Sequence, residues 1–258
     1  QNTSKNLTQY LLQLNKIKEY DHKKIGKQMN LFSFYNHAPG SVFWNNHGWR
    51  TYLNIINYVR NMMRKACYME VNTPIMLNSY LFEKSGHIDK FSKYIFKYNS
   101  DENISLLKPM NCPCHIEIFK HFEKKSYRDL PFRISEFGLC SRNELSGTLL
   151  GLMRLKNFVQ DDGHVLCEES HIFTEVKNFI YLLKKIYYRF EFKAFRVILS
   201  KKPSNIHDNI ELWKRAETIL ENIIKDLKIK YIIEYEGAFY GPKLEFSLQD
   251  NIDRLWQC

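Results

Sequence analysis

The stretch from Arg133 to Cys167, RISEFGLCSRNELSGTLLGLMRLKNFVQDDGHVLC, constrains the fold more than any other part of this chain. It reads as an outgoing strand, a polar loop and a returning strand. Successive side chains of a strand point to opposite faces, so Phe158, Gln160, Asp162 and His164 share one face at a spacing of about 6.5 Å. The outgoing run is expected to present Cys140, Arg142 and Glu144 in the same way. An Arg, two carboxylates, an amide, an imidazole and an aromatic ring on one sheet surface make a poor apolar core. They make a good seat for an anionic, aromatic ligand. Two charged strands around a loop also suit a solvated edge hairpin, because exposed charge is ordinary, and alternation alone leaves both readings open.

The rest of the chain predicts what surrounds this pair. Its 258 residues, 44% of them hydrophobic, are enough for one large domain with a substantial core. No apolar run approaches a membrane span and the amino terminus lacks a secretory pattern, so a soluble protein is expected. Six cysteines without small-scaffold spacing predict a reducing compartment and free thiols. The net charge of +10 favours a polyanionic partner such as RNA, although a Lys-rich surface can simply be well solvated.

Leu7, Leu11, Leu12, Leu14 and Ile17 recur at helical spacing and predict an amphipathic lead-in helix over 1–30, ahead of a core over 31–258. Tyr52, Ile55, Ile56, Val59, Met62 and Met63 form a helical stripe within 48–68 that ends before the strand-like YMEVNTP. A helix from Ile172 to about Tyr188, a strand in FEFKAFRVIL, a helix from Glu211 to Lys225 and two strands around the Gly-Pro turn of IIEYEGAFYGPKLEFSL complete the reading. The fold class is α+β, a mainly antiparallel sheet flanked by helices.

A second chemical feature is Met110-Asn-Cys-Pro-Cys-His115. Pro113 suits the first turn of a helix, which puts Cys112 near a helix amino terminus where the dipole favours a thiolate. A thiolate and the His164 imidazole are good zinc ligands, but residues this far apart in sequence do not by themselves share a metal.

SRNELSG, LMR and NFVQDDGH, in that order, closely resemble motif 2 of the threonyl-tRNA synthetase family of class II aminoacyl-tRNA synthetases. DHKKIGKQMNLF, APGSVFW, YMEVNTPIM, FEKSGH, LKPMNCPCH, SYRDLPFRISEFG and GAFYGPKLEF match the same family collinearly, from about Asp21 to Cys258. The resemblance implies the class II catalytic fold and ATP-dependent activation of L-threonine to threonyl-adenylate, followed by transfer to tRNA(Thr). It implies that Arg142 binds the α-phosphate as the catalytic residue, that Glu144 accepts from the adenine amino group and that Phe158 stacks on the ring. Arg154 would contact phosphate or the tRNA acceptor end. Met110, Gln160, Asp162, Tyr240 and Lys243 would line the substrate, with Asp162 accepting from the threonine hydroxyl. Zinc would be held by Cys112, His164 and a His beyond WQC, and Mg2+ would accompany ATP. Zinc with an open position can take the amino group and hydroxyl together, which separates threonine from the near-isosteric valine better than an apolar pocket can.

The resemblance also implies a homodimer through the motif 1 helix and strand, and a place in the cytoplasm or an organellar matrix. Motif 3, the anticodon-binding domain and the editing region have no counterpart here. The chain is therefore expected to be a core incomplete at its carboxyl end and inactive alone. Cys114, Ser141 and Leu150 depart from the family pattern; Cys114 makes a local cluster with Cys112 and His115 that could compete for metal, or a small buried thiol. The alternative reading is a non-catalytic RNA-binding or regulatory relative. A seryl or prolyl enzyme is disfavoured by the pairing of MNCP with QDDGH.

Overall fold

The computed structural model describes residues 2–99, 104–122, 126–192, 194–207, 209–250 and 254–258, with side chains from residue 6 onward apart from 13 and 16. The chain divides into two compact units, Glu19–Leu166 and Gln1–Lys18 with Cys167–Cys258.

In Glu19–Leu166 the two alternating runs are ten-residue strands, Phe132–Ser141 and Asn157–Leu166, paired antiparallel along their whole length. Phe158 lies opposite Cys140, Gln160 opposite Gly138, Asp162 opposite Glu136 and His164 opposite Ile134. Directly opposed residues share a face, so this register extends the polar face of one strand onto the other. Met69–Glu70 adds a short parallel strand on the other edge of Phe132–Ser141. The outgoing strand ends at Ser141, which corrects the expectation that Arg142 and Glu144 continue its alternation. The Arg142 amide still donates to the Lys156 carbonyl at 2.8 Å, but beyond it the chain leaves the ladder for a 3-10 turn at Ser146–Thr148.

The motif 1 stripe forms the helix Asn46–Lys65, with Val59 buried. A three-stranded antiparallel sheet of Met76–Asn78, Ile104–Leu107 and Lys97–Asn99 carries a small core of Phe82, Ile95 and Leu106. Pro113 stands in the first turn of the helix Cys112–His121, where its missing N–H costs no hydrogen bond.

In Cys167–Cys258 the helices Glu169–Arg189 and Ile210–Asp226 pack with a four-stranded sheet. Ile180, Leu183, Val197, Ile223 and Phe246 form its buried apolar core. The strand expected over FEFKAFRVIL is only Arg196–Ser200, because Phe190 caps the preceding helix and Glu191 turns out of it with φ of 65°. The two strands around the Gly-Pro turn do not pair with each other. Ile232–Glu234 runs parallel to Arg196–Ser200 on one side, and Lys243–Gln249 runs antiparallel to it on the other. A parallel neighbour needs a crossover, and the helix Ile210–Asp226 supplies it.

Residues 1–30 hold two helices rather than one, Asn2–Glu19 and His22–Gln28. Asp21 sets the break: it is extended and its carboxylate accepts from the Lys23 amide at 2.9 Å, the behaviour of an N-cap. Among the described residues no helix is long and apolar enough to cross a membrane.

Candidate adenylation and metal site

The polar strand face is built over a buried charge. Glu136 is 2% exposed and Lys108 1% exposed, and they pair at 3.1 Å. The Glu136 carboxylate also accepts from the Thr73 amide at 2.8 Å, the Thr73 hydroxyl at 2.9 Å and His115 Nε2 at 2.9 Å. Lys108 donates in turn to the Thr73 hydroxyl at 2.7 Å. Burial pushes the Glu136 carboxyl up, but the Thr73 amide, Lys108 and His115 together hold it below the usual carboxylate range. A charge taken out of water this completely is tolerable only with such a full set of partners.

Asn111 and His115, one helical turn apart at the start of Cys112–His121, are both fully buried. Asn111 occupies the N-cap position yet makes no side-chain cap. Its amide instead donates to Asp162 Oδ2 at 3.1 Å, and its carbonyl oxygen accepts from the Cys140 thiol at 3.6 Å. Gly138 makes room for this, since a Cβ there would overlap the Asn111 amide. His115 Nδ1 meets His164 Nδ1 at 2.8 Å. One helix thus holds two alternate residues of the returning strand, Asp162 and His164.

Cys112, Asp162 and His164 bring a sulfur, a carboxylate oxygen and a ring nitrogen within 4.8 Å of one another. The soft sulfur, imidazole and carboxylate fit the donor preferences of zinc. The expected dipole-favoured thiolate is corrected: burial, with Asp162 adding, pushes the metal-free Cys112 thiol up to about 11. Desolvation and a neighbouring carboxylate outweigh the helix terminus, so metal binding at Cys112 must displace a proton. Burial also lowers His164, with Asp162 opposing and His115 reinforcing. Cys114 is buried and lies outside this group.

At the other end of the face, Met110, Arg142, Glu144 and Arg154 line one cavity of about 270 Å³, walled by Phe91 and Tyr94. The Arg142 guanidinium lies 5.0 Å over the Phe158 ring, and its Nε donates to the Pro109 carbonyl at 3.2 Å. Glu144 pairs with Arg154 at 2.8 Å, and Gln160 accepts from the Cys140 thiol at 3.5 Å. Of the departures from the family pattern, Ser141 is buried and donates to Asn157 at 2.8 Å, while Leu150 bridges to Arg154 and closes the loop. Tyr240 and Lys243 belong to the other unit, where Tyr240 is exposed and Lys243 pairs with Glu245 at 2.8 Å.

Sequence reasoning missed Thr73, Lys108, Asn111, His115 and Glu136 as parts of the site. For Glu136 a signal existed: it stands two and four residues before Gly138 and Cys140, on the face already singled out. Asn111 and His115 stand inside the Met110–His115 run, where His115 was read only as a competing metal ligand, while nothing local marks Thr73 and Lys108.

The description tRNA synthetase class II core domain (G, H, P, S and T) matches residues 94–258. The chain belongs to this family. This class II synthetase core is 46% identical over 253 residues to the threonine–tRNA ligase of Ehrlichia canis (strain Jake), covering 98% of this chain and 40% of that protein. It is 47% identical over 257 residues to that of Rickettsia typhi (strain ATCC VR-144 / Wilmington), covering 99% and 40%. The class II core therefore spans only 40% of the length of these curated relatives. Among solved structures, the RNA binding domain of threonyl-tRNA synthetase from Cryptosporidium parvum Iowa II matches with a TM-score of 0.88 at 38% identity, over 92% of this chain and 60% of that one. A prolyl-tRNA synthetase from Giardia lamblia, with a TM-score of 0.69 at 14% identity over 94% of this chain and 44% of its own, shares the fold alone. The resemblance to threonyl-tRNA synthetases and the α+β class II architecture are both borne out.

Proposed function

We propose that the protein activates L-threonine with ATP to threonyl-adenylate and transfers the threonyl group to tRNA(Thr). One observation carries the reading: Cys112, Asp162 and His164 gather at one end of a strand face whose other end presents Phe158 beneath Arg142. A group suited to a small hydroxylated amino acid and a group suited to a nucleotide phosphate thus gather at the two ends of one row of alternate residues, Phe158 to His164.

Arg142 offers a planar fork for two oxygens of the α-phosphate, where charge builds as the threonine carboxylate attacks. Phe158 supplies the face on which adenine stacks, Glu144 accepts from its amino group, and Arg154 and Lys243 add positive charge for phosphate or acceptor end. Gln160, Met110 and Tyr240 position the amino acid. Asp162, oriented by Asn111, accepts from the threonine hydroxyl. Held by Cys112 and His164, zinc would supply an open coordination position for the amino group and hydroxyl that valine cannot fill. Mg2+ accompanies ATP. The net charge of +10 suits tRNA, and Leu53, Ile55 and Met69, all exposed, suit a homodimer through the motif 1 region. The work belongs to the cytoplasm or an organellar matrix.

The test is ATP–pyrophosphate exchange by the intact protein with Asp162→Asn. Activation of threonine and serine should fall far more than that of valine. Equal losses for all three amino acids would give Asp162 a structural role. Threonine and tRNA(Thr) binding without any exchange in the full-length protein would favour the non-catalytic RNA-binding relative.

A further inference from the structure

We propose that Lys108 is a positioning residue for Arg142: its buried ammonium anchors the Lys108–Pro109 peptide, so that the Pro109 carbonyl holds one edge of the Arg142 guanidinium and leaves the terminal nitrogens for phosphate. That Arg142 binds the α-phosphate rests on the reading above, whereas the way Lys108 holds it follows from the hydrogen bonds alone.

Lys108 follows directly on the strand Ile104–Leu107, which pairs with Met76–Asn78. Its amide donates to the Ile75 carbonyl at 2.8 Å, one step beyond that ladder. Its carbonyl accepts from the Ser141 amide at 2.9 Å, at the end of Phe132–Ser141 in a different sheet. Lys108 therefore sits at a seam, with its main chain bonded to both sides. The side chain repeats both ties. Nζ donates to the Thr73 hydroxyl at 2.7 Å, in the segment that leads to Ile75, and to Glu136 at 3.1 Å, on the strand that leads to Ser141. Main chain and side chain grip the same two segments, and at 1% exposure the grip is closed to water.

Pro109 carries this anchorage forward. Its ring fixes φ and it has no amide hydrogen, so its carbonyl has little freedom once Lys108 is held. That carbonyl accepts from Arg142 Nε at 3.2 Å. Arg142 comes directly after Ser141, whose amide is bound to Lys108, so one dipeptide holds both the backbone ahead of Arg142 and its side chain. The Phe158 ring lies beneath the guanidinium at 5.0 Å and limits it from below. With Nε spent on a carbonyl, the planar fork of terminal nitrogens is left for an oxyanion in the cavity that Arg142 lines.

A simpler role for Lys108 is that of counter-charge to Glu136. Charge balance asks only that Nζ reach the carboxylate. It does not account for the shorter bond to the Thr73 hydroxyl, or for the link from the next carbonyl to Arg142.

ATP affinity of the full-length protein, measured by titration calorimetry, separates the two roles. Lys108→Met keeps an unbranched stem but removes the ammonium, and should weaken ATP binding by about tenfold. A loss below about twofold would refute the positioning role. In an Arg142→Lys background the same change should alter ATP affinity by less than about twofold, because the group it positions is gone. Equal losses in both backgrounds would give Lys108 a general structural role instead. Lys108→Met combined with Glu136→Gln removes the charge imbalance and guards against a folding defect: stability in urea should recover while ATP binding stays weak. Recovery of both would leave Lys108 a counter-charge only. Crystal structures of the unaltered protein and of this double variant give a readout without ATP. Arg142 Nε should part from the Pro109 carbonyl in the variant, and an unchanged bond overturns the proposal. Failure of the unaltered protein to bind ATP would refute the nucleotide reading, and the crystal structures would still decide whether Lys108 positions Arg142.

Discussion

The strands Arg196–Ser200 and Phe132–Ser141 are each buried in the middle of a sheet, yet they bury opposite kinds of matter. Val197 packs with Ile180, Leu183, Ile223 and Phe246, a cluster that tolerates other apolar side chains of similar volume. Phe132–Ser141 buries Glu136, whose ion pair with Lys108 and bonds to Thr73 and His115 admit no substitute of merely similar volume. Hydrophobic burial is non-directional and each atom contributes little. A buried charge must have every partner in place or it becomes a large cost. The first design secures stability. The second is a weak way to secure stability and a good way to hold Asp162 and His164 in one geometry.

This contrast can be broken at several points. The largest effect is expected for Glu136→Ala, which leaves Lys108 buried without its carboxylate and should destabilise the protein by about 3–5 kcal/mol in urea unfolding. Glu136→Ala with Lys108→Met should recover much of that loss, and no recovery would mean that the pair is not the origin of the cost. Gly138→Ala comes next, acting on geometry: its methyl group would displace the Asn111 amide that holds Asp162. The threonine KM should rise about tenfold to a hundredfold with little change in the ATP KM, as measured by pyrophosphate exchange. In the apolar region, Ile223→Val should cost only about 0.5–1.5 kcal/mol and leave activity untouched. A loss as large as that of Glu136→Ala would erase the distinction between the two regions.

The smallest effect concerns pH. Hydrogen bonds from Lys225, then Lys201 and Tyr231, hold the Glu221 carboxyl down to about 2 from an ordinary 4.5. A depressed carboxyl contributes stability that is fully present above 4.5 and is lost as pH falls through that value towards about 2. Glu221→Gln should therefore flatten the acid limb of the stability curve over that window while changing little near neutrality. An unchanged acid limb would place the acid sensitivity elsewhere.

Local periodicity made part of this legible. The alternation Phe158, Gln160, Asp162, His164 needs only the two-residue repeat of a strand, and it appears on one face as read. The helices within Glu169–Arg189 and Ile210–Asp226 follow from the 3.6-residue repeat in the same way. What covers the strand face was not legible, because Asn111 and His115 act on residues some fifty positions away. Lys108 reads as a surface residue in any sequence, and only the position of Glu136 makes its burial tolerable. Cys112 was misjudged for the same reason: the helix terminus can be read from Pro113, but the desolvation that pushes the thiol up depends on what packs around it. The order of the Arg196–Ser200 sheet was hidden too, since a turn between two strands does not say whether a third lies between them.

The ten-residue register of Phe132–Ser141 with Asn157–Leu166 acts as a reading frame. Shifting the returning strand by one residue would turn Val159, Asp161, Gly163 and Val165 to the face now held by Phe158, Gln160, Asp162 and His164. A carboxylate would survive such a frameshift, but the ring, the amide and the imidazole would vanish together. Insertions between Arg142 and Lys156 lengthen a loop and leave the frame intact, whereas a single insertion within either strand rewrites the whole site at once.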